Sequence, residues 1–172
     1  MNNVKLLVKN SKDLRQEIEI KRPRYLIKYK PLLEAISNKG TSGGGDYVRF
    51  GPFYQTYMYA FMIGYRKGEC VPIVESGDKS DTFADMSHWR PSAMVDYILM
   101  LILSESKEKM NFTWMELEAM KEEDGKDAVK KIITRIEGYA NAGLEHLQTL
   151  YNTKKEMFRD PFVFINILRD IK

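Results

Sequence analysis

The stretch Phe50-Gly51-Pro52-Phe53-Tyr54-Gln55-Thr56-Tyr57-Met58-Tyr59-Ala60-Phe61-Met62-Ile63-Gly64-Tyr65-Arg66-Lys67-Gly68 decides how the chain must be arranged. Seven of its first sixteen residues are aromatic, too many for a solvent-facing segment. Pro52 suits the first turn of a helix, where its missing N–H would have no partner anyway. Lys67 followed by Gly68 is a stop signal, a cation near the negative end of the dipole and then a residue free to turn left-handed. Between these marks Phe53, Tyr57, Ala60, Phe61, Gly64 and Tyr65 share one face. Met58, Tyr59, Met62 and Ile63 make the other side apolar as well, and a helix apolar nearly all round is buried from several directions. This is the expected central helix. Ala60 and Gly64, four apart, would let a second helix come close. Each tyrosine needs a hydroxyl partner if it is buried. The alternative is an aromatic surface that stacks on bases or receives a partner protein.

Working outward, residues 92–106 carry a second strongly apolar helix, with Met94, Tyr97, Ile98, Leu101 and Ile102 on one face and Leu99, Met100 and Leu103 widening it. It reads as nearly all buried and as the packing partner of the central helix. Thr113-Trp114-Met115-Glu116 is a capping box that opens a short helix through Met120. Asp124-Gly125 is a turn signal. A long helix is expected from about Asp127 to Met157, its stripe running from Val129 to Tyr151 with a small-residue waist at Ala140-Asn141-Ala142-Gly143, suited to a close crossing or a kink. Asp160-Pro161 announces a last helix, Phe162–Ile171, with Phe162, Phe164, Ile165 and Leu168 apolar.

Before the central stretch the pattern is different. Val4–Val8 reads as a short strand, and Ser11 caps a helix over Lys12–Glu19. Lys21, Arg22, Arg24, Lys28 and Lys30 follow within ten residues that also hold Tyr25 and Tyr29, and Pro23 excludes a continuous helix there. Cations interleaved with aromatics can hold a nucleic-acid backbone and stack on bases. The plainer alternative is a solvated segment that docks through Leu26 and Ile27. Pro31 opens a short helix through Ile36. Residues 38–46 are a glycine-rich loop in which Gly40 and Gly45 imitate a phosphate-binding spacing. Asp46 and Tyr47 stand where the chemistry needs Lys and Ser or Thr, so no nucleotide site is read there.

The expected fold class is mainly α, an irregular helical bundle with one or two short strands. Residues 1–46 form a basic segment and hinge loop, and 47–172 the helical domain. The first fifty residues hold eleven lysines and arginines against five carboxylates, the remainder sixteen against nineteen, so one end favours an acidic or polyanionic partner. Cys70 is the single cysteine, so no internal disulfide forms, which favours a reducing, cytoplasmic setting. The N-terminal residues read as no signal peptide, and the longest wholly apolar run, Tyr97–Leu103, is far too short for a membrane span.

Catalytic arrangements are scarce. No CxxC, HExxH or nucleophile elbow occurs. His88 and His146 are far apart in sequence. Asp78, Asp81, Asp85 and His88 match no metal-ligand spacing. No catalytic residue, metal or cofactor is assigned.

Val48-Arg49-Phe50, the run from Tyr57 to Gly68, Val71-Pro72-Ile73 and the later Glu137-Gly138-Tyr139-Ala140-Asn141-Ala142-Gly143-Leu144 resemble small proteins associated with bacterial Dnd systems, the DNA phosphorothioation islands used in defence against foreign DNA. The resemblance covers about a fifth of the chain and implies a helical accessory subunit with no catalytic residues. Its partner would be a larger protein of a defence or DNA-modification complex, with DNA touched by the basic segment and no membrane involved. A second reading is a homodimeric interaction module that uses the long stripe, with Tyr139, Leu147 and Tyr151 at its interface. A third is a small enzyme with a scattered site near His88 and Trp89.

Overall fold

A computed structural model of the chain describes residues 14–38, 47–74, 79–120 and 122–171. The strand expected at Val4–Val8, the cap at Ser11 and most of the glycine-rich loop lie outside them. The fold is mainly α. It comprises two compact units, one of Met1–Pro23 with Ala84–Ile136 and one of Arg24–Phe83 with Glu137–Lys172. Among the described residues no helix is long and apolar enough to cross a membrane.

The first unit begins with helical residues 14–19 (α1). Arg15 on α1 reaches Glu19 at 2.9 Å and Asp96 at 2.6 Å. The backbone N–H of Met86 donates to the carbonyl of Lys21 at 3.1 Å. Trp89 is fully buried, its indole N–H donating to the Ala84 carbonyl at 3.0 Å. The bond Arg90–Pro91 is cis. Helix α4 (Ser92–Leu103) buries Val95, Ile98, Leu99 and Ile102, a stripe at helical spacing. It is not nearly all buried as its composition suggests, because Tyr97 and Met100 stand exposed on the other side. Apolarity gives a preference for leaving water; whether neighbours exist to satisfy it is a tertiary matter. A short helix α5 (Lys107–Met110) ends on Asn111 in the left-handed region, φ 68°. Helix α6 (Trp114–Ala119) starts on the expected capping box, Thr113 Oγ1 accepting from Glu116 N–H and the Glu116 carboxylate accepting from Thr113 N–H.

Helix α7 (Glu122–Thr153) carries the chain from one unit into the other, the division falling between Ile136 and Glu137. It starts five residues before the expected Asp127 and runs straight through Asp124-Gly125. A glycine inside a helix costs only about 1 kcal/mol, and Glu123 and Asp124 fall in the first turn, at the positive end of the dipole. In the first unit α7 buries Ala128, Val129, Ile132 and Ile136. Arg135 holds the buried carboxylate of Glu105 through Nε and Nη2 at 2.8 and 3.0 Å.

In the second unit a two-stranded antiparallel sheet pairs β1 (Arg24–Leu26) with β2 (Ser80–Thr82), Tyr25 opposite Asp81. A 3₁₀ turn, Ile27–Tyr29, leads into α2 (Lys30–Ile36), where Pro31 sits in the first turn and Leu32, Leu33 and Ile36 are buried. Ser37 and Phe50 form an isolated parallel bridge. Helix α3 (Phe53–Lys67) has the boundaries its sequence announces and ends on Gly68 at φ 68°. It buries residues on every side, from Thr56 through Gly64.

Within this unit the close neighbour of α3 is the waist of α7. A Cβ on Gly64 would sit 2.0 Å from the carbonyl oxygen of Tyr139, and one on Gly143 would sit 1.8 Å from that of Ala60. Each glycine thus faces the backbone of the other helix. Asn141 on the same waist donates to the Val71 carbonyl at 3.0 Å, and Val71 N–H donates to the Gly138 carbonyl at 3.0 Å, which pins the extended Cys70–Val71 segment. A 3₁₀ turn, Lys155–Arg159, precedes α8 (Val163–Asp170). The Asp160 carboxylate accepts from Phe162 N–H at 2.9 Å, so it caps from a turn ahead of the helix. The buried face of α8 is Val163, Phe164 and Ile167, while Phe162 and Ile165 are exposed.

Candidate functional site

Two of the central tyrosines, Tyr57 and Tyr59, are sealed inside the second unit. Tyr57 is buried and its hydroxyl donates to the Arg24 carbonyl at 3.1 Å; the Tyr59 hydroxyl donates to the Phe164 carbonyl at 2.7 Å. Burial pushes both hydroxyls well above the ordinary tyrosine range. For Tyr57 the carboxylate of Glu137 acts in the same direction and Arg24 against it.

The basic segment divides. Lys21 and Arg22 are exposed in the first unit. Arg24, Lys28 and Lys30 belong to the second, where Lys28 and Lys30 are exposed and Lys28 Nζ lies 5.1 Å above the ring of Tyr29. Arg24 is engaged with Glu137 through Nε and Nη2. Tyr25 and Tyr29 are buried, with Tyr25 stacked on Phe83 at 4.6 Å, so neither ring is offered to a base. Leu26 docks as expected; Ile27 does not, being 39% exposed.

A cationic aromatic patch that the sequence did not single out lies elsewhere on the second unit. The rings of Tyr47 and Tyr151 meet edge to face at 6.3 Å. Lys155 Nζ lies 5.1 Å from one ring centre and 5.2 Å from the other, and the Arg159 guanidinium carbon lies 5.6 Å from Tyr47. Val48 N–H donates to the Phe158 carbonyl, which fastens the segment carrying Tyr47 and the exposed Arg49 along the 3₁₀ turn. Exposed Lys154 immediately precedes the turn, and the nearby acids are Glu156, paired with Arg159 at 3.1 Å, and Asp160, engaged in capping. Ring faces hold the cations while their charge stays open to solvent. Tyr47 is a hundred positions from its partners in sequence, so no local pattern marks the group.

Of the residues expected at an interface, Tyr139 and Leu147 are buried and Tyr151 is half-buried in the patch just described. Tyr139 packs edge-on against Phe61 and Tyr65. The stripe of α7 is therefore core material here.

In the first unit Asp85, Ser87 and His88 gather on one 3₁₀ turn. His88 Nδ1 lies 2.6 Å from Asp85 Oδ1 and 3.3 Å from Ser87 Oγ, and Ser87 Oγ also donates to Asp85. Bonds from Ser87 and then His88 hold the Asp85 carboxyl below its usual range. Serine and carboxylate both address Nδ1. A nucleophilic triad needs them on opposite ring nitrogens, and the His88 side chain is 73% exposed. Among the described residues no group of three or more His, Cys, Asp or Glu is placed to hold a metal ion.

The second unit also holds a cleft of about 340 Å³ whose lining includes Lys67, His146, Leu150, Lys154, Met157 and Ile167. Lys67 Nζ lies 3.4 Å from His146 Nδ1 and 2.9 Å from Glu69. An ammonium has no acceptor, so Nδ1 accepts and the imidazole carries its proton on Nε2. Burial, with the Lys67 charge in support and Glu69 opposed, lowers the pKa of His146.

No family model, no curated protein and no solved structure matches this chain.

Proposed function

We propose that the chain is a non-catalytic accessory protein of a bacterial DNA-modification or phage-defence system, acting in the cytoplasm by binding a larger protein of that system and DNA. The resemblance of the Tyr57–Gly68 and Glu137–Leu144 stretches to Dnd-associated proteins supports the setting. The observation that carries the binding part is the patch of Tyr47, Tyr151, Lys155 and Arg159 with Arg49 and Lys154 beside it. Such a group neutralises phosphates, and the guanidinium plane of Arg159 is a surface on which a splayed base can stack. The exposed Lys28 and Lys30 are further cations of the same unit.

The test is fluorescence anisotropy of a labelled single-stranded oligonucleotide across salt concentrations. Four neutralised phosphates give a log–log slope of about −3, and the pair Lys155→Glu with Arg159→Glu should flatten it by roughly 1.4. Reversing Lys21 and Arg22, in the other unit, serves as the comparison. Binding that ignores salt, or that survives the double reversal unchanged, sinks the reading. The protein partner is tested by affinity purification from the native host, with a DNA-modification or defence protein as the expected companion.

A further inference from the structure

Tyrosines beside lysines and arginines commonly serve as platforms on which bases stack. Tyr47 and Tyr151 are placed for another task. Both rings are half-buried, and each already has a cation against it. Lys155 Nζ lies 5.1 Å from the centre of Tyr47 and 5.2 Å from that of Tyr151, and the Arg159 guanidinium carbon lies 5.6 Å from Tyr47. Tyr151 also meets Phe158 edge to face at 5.3 Å. A base stacking on either ring has to compete with the cations of the chain itself.

The rings do something for those cations. A lysine or arginine on a solvent-facing turn samples many rotamers, and fixing it when a ligand arrives is costly. Among the described residues Lys155 pairs with no carboxylate, so the two ring faces are what restrict it. Tyr47 lies against both cations. Its place is set by its backbone: the next residue, Val48, donates its N–H to the carbonyl of Phe158, which sits between Lys155 and Arg159 on the turn. Both cations remain exposed while the rings hold them, so their ordering precedes any encounter with an anion.

We propose that Tyr47 and Tyr151 are positioning residues for Lys155 and Arg159, that neither ring touches a base, and that what these two cations grip is the phosphate backbone of a nucleic acid. The inference rests on the reading of the patch as a nucleic-acid contact.

The test compares two labelled strands of equal length, oligothymidylate and an abasic deoxyribose-phosphate strand, by anisotropy with the full chain. Tyr47→Leu should weaken both strands by the same factor, about twofold to fivefold, the range for a solvent-exposed cation–π contact. The salt slope should not change, because the number of neutralised phosphates is the same. Tyr47→Phe keeps the ring and should bind as the parent does. In a chain carrying Lys155→Met and Arg159→Met, Tyr47→Leu should have no further effect, whereas a tyrosine that merely supports the fold would still act there. A stacking platform gives a different pattern: its loss weakens oligothymidylate by about fivefold or more and spares the abasic strand. That pattern overturns the proposal. So does a Tyr47→Phe chain as weak as Tyr47→Leu, since the hydroxyl would then be the contact. If the parent chain binds neither strand, the nucleic-acid reading falls and this inference with it. If both strands bind with the expected slope but respond differently to Tyr47→Leu, only the inference falls.

Discussion

The guanidinium of Arg24 grips the buried carboxylate of Glu137, Nε at 3.2 Å from both oxygens and Nη2 at 3.0 Å from Oε2, while the backbone N–H of Arg24 donates to Oε1 at 2.8 Å. This fastens β1 to the second half of α7 and gives Arg24 a structural task. The Glu137 side chain keeps only 4% of its surface, against 31% for Arg24. Removing one member of a buried pair leaves the other charge uncompensated, at a cost of about 3–5 kcal/mol. Arg24→Leu should therefore lower the urea midpoint by a cost near the lower end of that range, since Arg24 keeps some contact with water. A loss below about 1 kcal/mol would show that the pair is dispensable.

The α3–α7 crossing makes a sharper prediction. At Gly64 and Gly143 an added methyl meets backbone carbonyls of the facing helix, which cannot swing aside as a side chain can. Gly64→Ala and Gly143→Ala should each destabilise by about 3 kcal/mol, at the upper end for overpacking, read as a fall in thermal midpoint. Gly125→Ala, where nothing lies within 4 Å, should be stabilising by up to about 1 kcal/mol. A neutral Gly64→Ala would mean that the helices can separate at little cost.

The buried tyrosines predict an alkaline limit. The pKa values of Tyr57 and Tyr59 are raised in the folded chain. An unfolded tyrosine releases its proton near pH 10, so the unfolded state ionises first. The stability these groups supply is complete below that pH and falls as the pH rises beyond it. Tyrosinate absorbance should show a slow-appearing fraction that coincides with loss of helical circular dichroism. Tyr59→Phe should make the pH dependence above about 10 shallower, and an unchanged profile would count against the burial argument.

His146 predicts the opposite direction in acid. Its folded pKa lies below the ordinary 6.5, so the unfolded state binds the proton first. The contribution is present above that value and declines as the pH falls through it. The thermal midpoint should drop between about pH 7 and 5, and the drop should be smaller in His146→Gln than in the parent. The effect is small because the group is only partly buried, where solvent screens its charge.

How much of this was legible beforehand depended on distance along the chain. The boundaries of α3, the left-handed Gly68 and the Thr113–Glu116 capping box were readable because each rests on residues within one or two turns of one another. The start of α7 was misplaced because the turn preference of Asp124-Gly125 is weak beside helix propagation and downstream packing. The face of α4 was overdrawn because apolar composition does not say which neighbours exist. The patch of Tyr47, Tyr151, Lys155 and Arg159 was missed since its members come from two distant segments.

By itself the sequence determined a mainly α chain, the central tyrosine-rich helix and the small residues at its crossing, all consequences of hydrophobic periodicity, capping and side-chain size. Only the tertiary structure decided which helix fills that crossing, which cation of the basic segment becomes an internal ion pair and which residues form the cationic patch and the cleft. Those outcomes depend on groups brought together across long stretches of chain, and local preferences carry no information about such encounters.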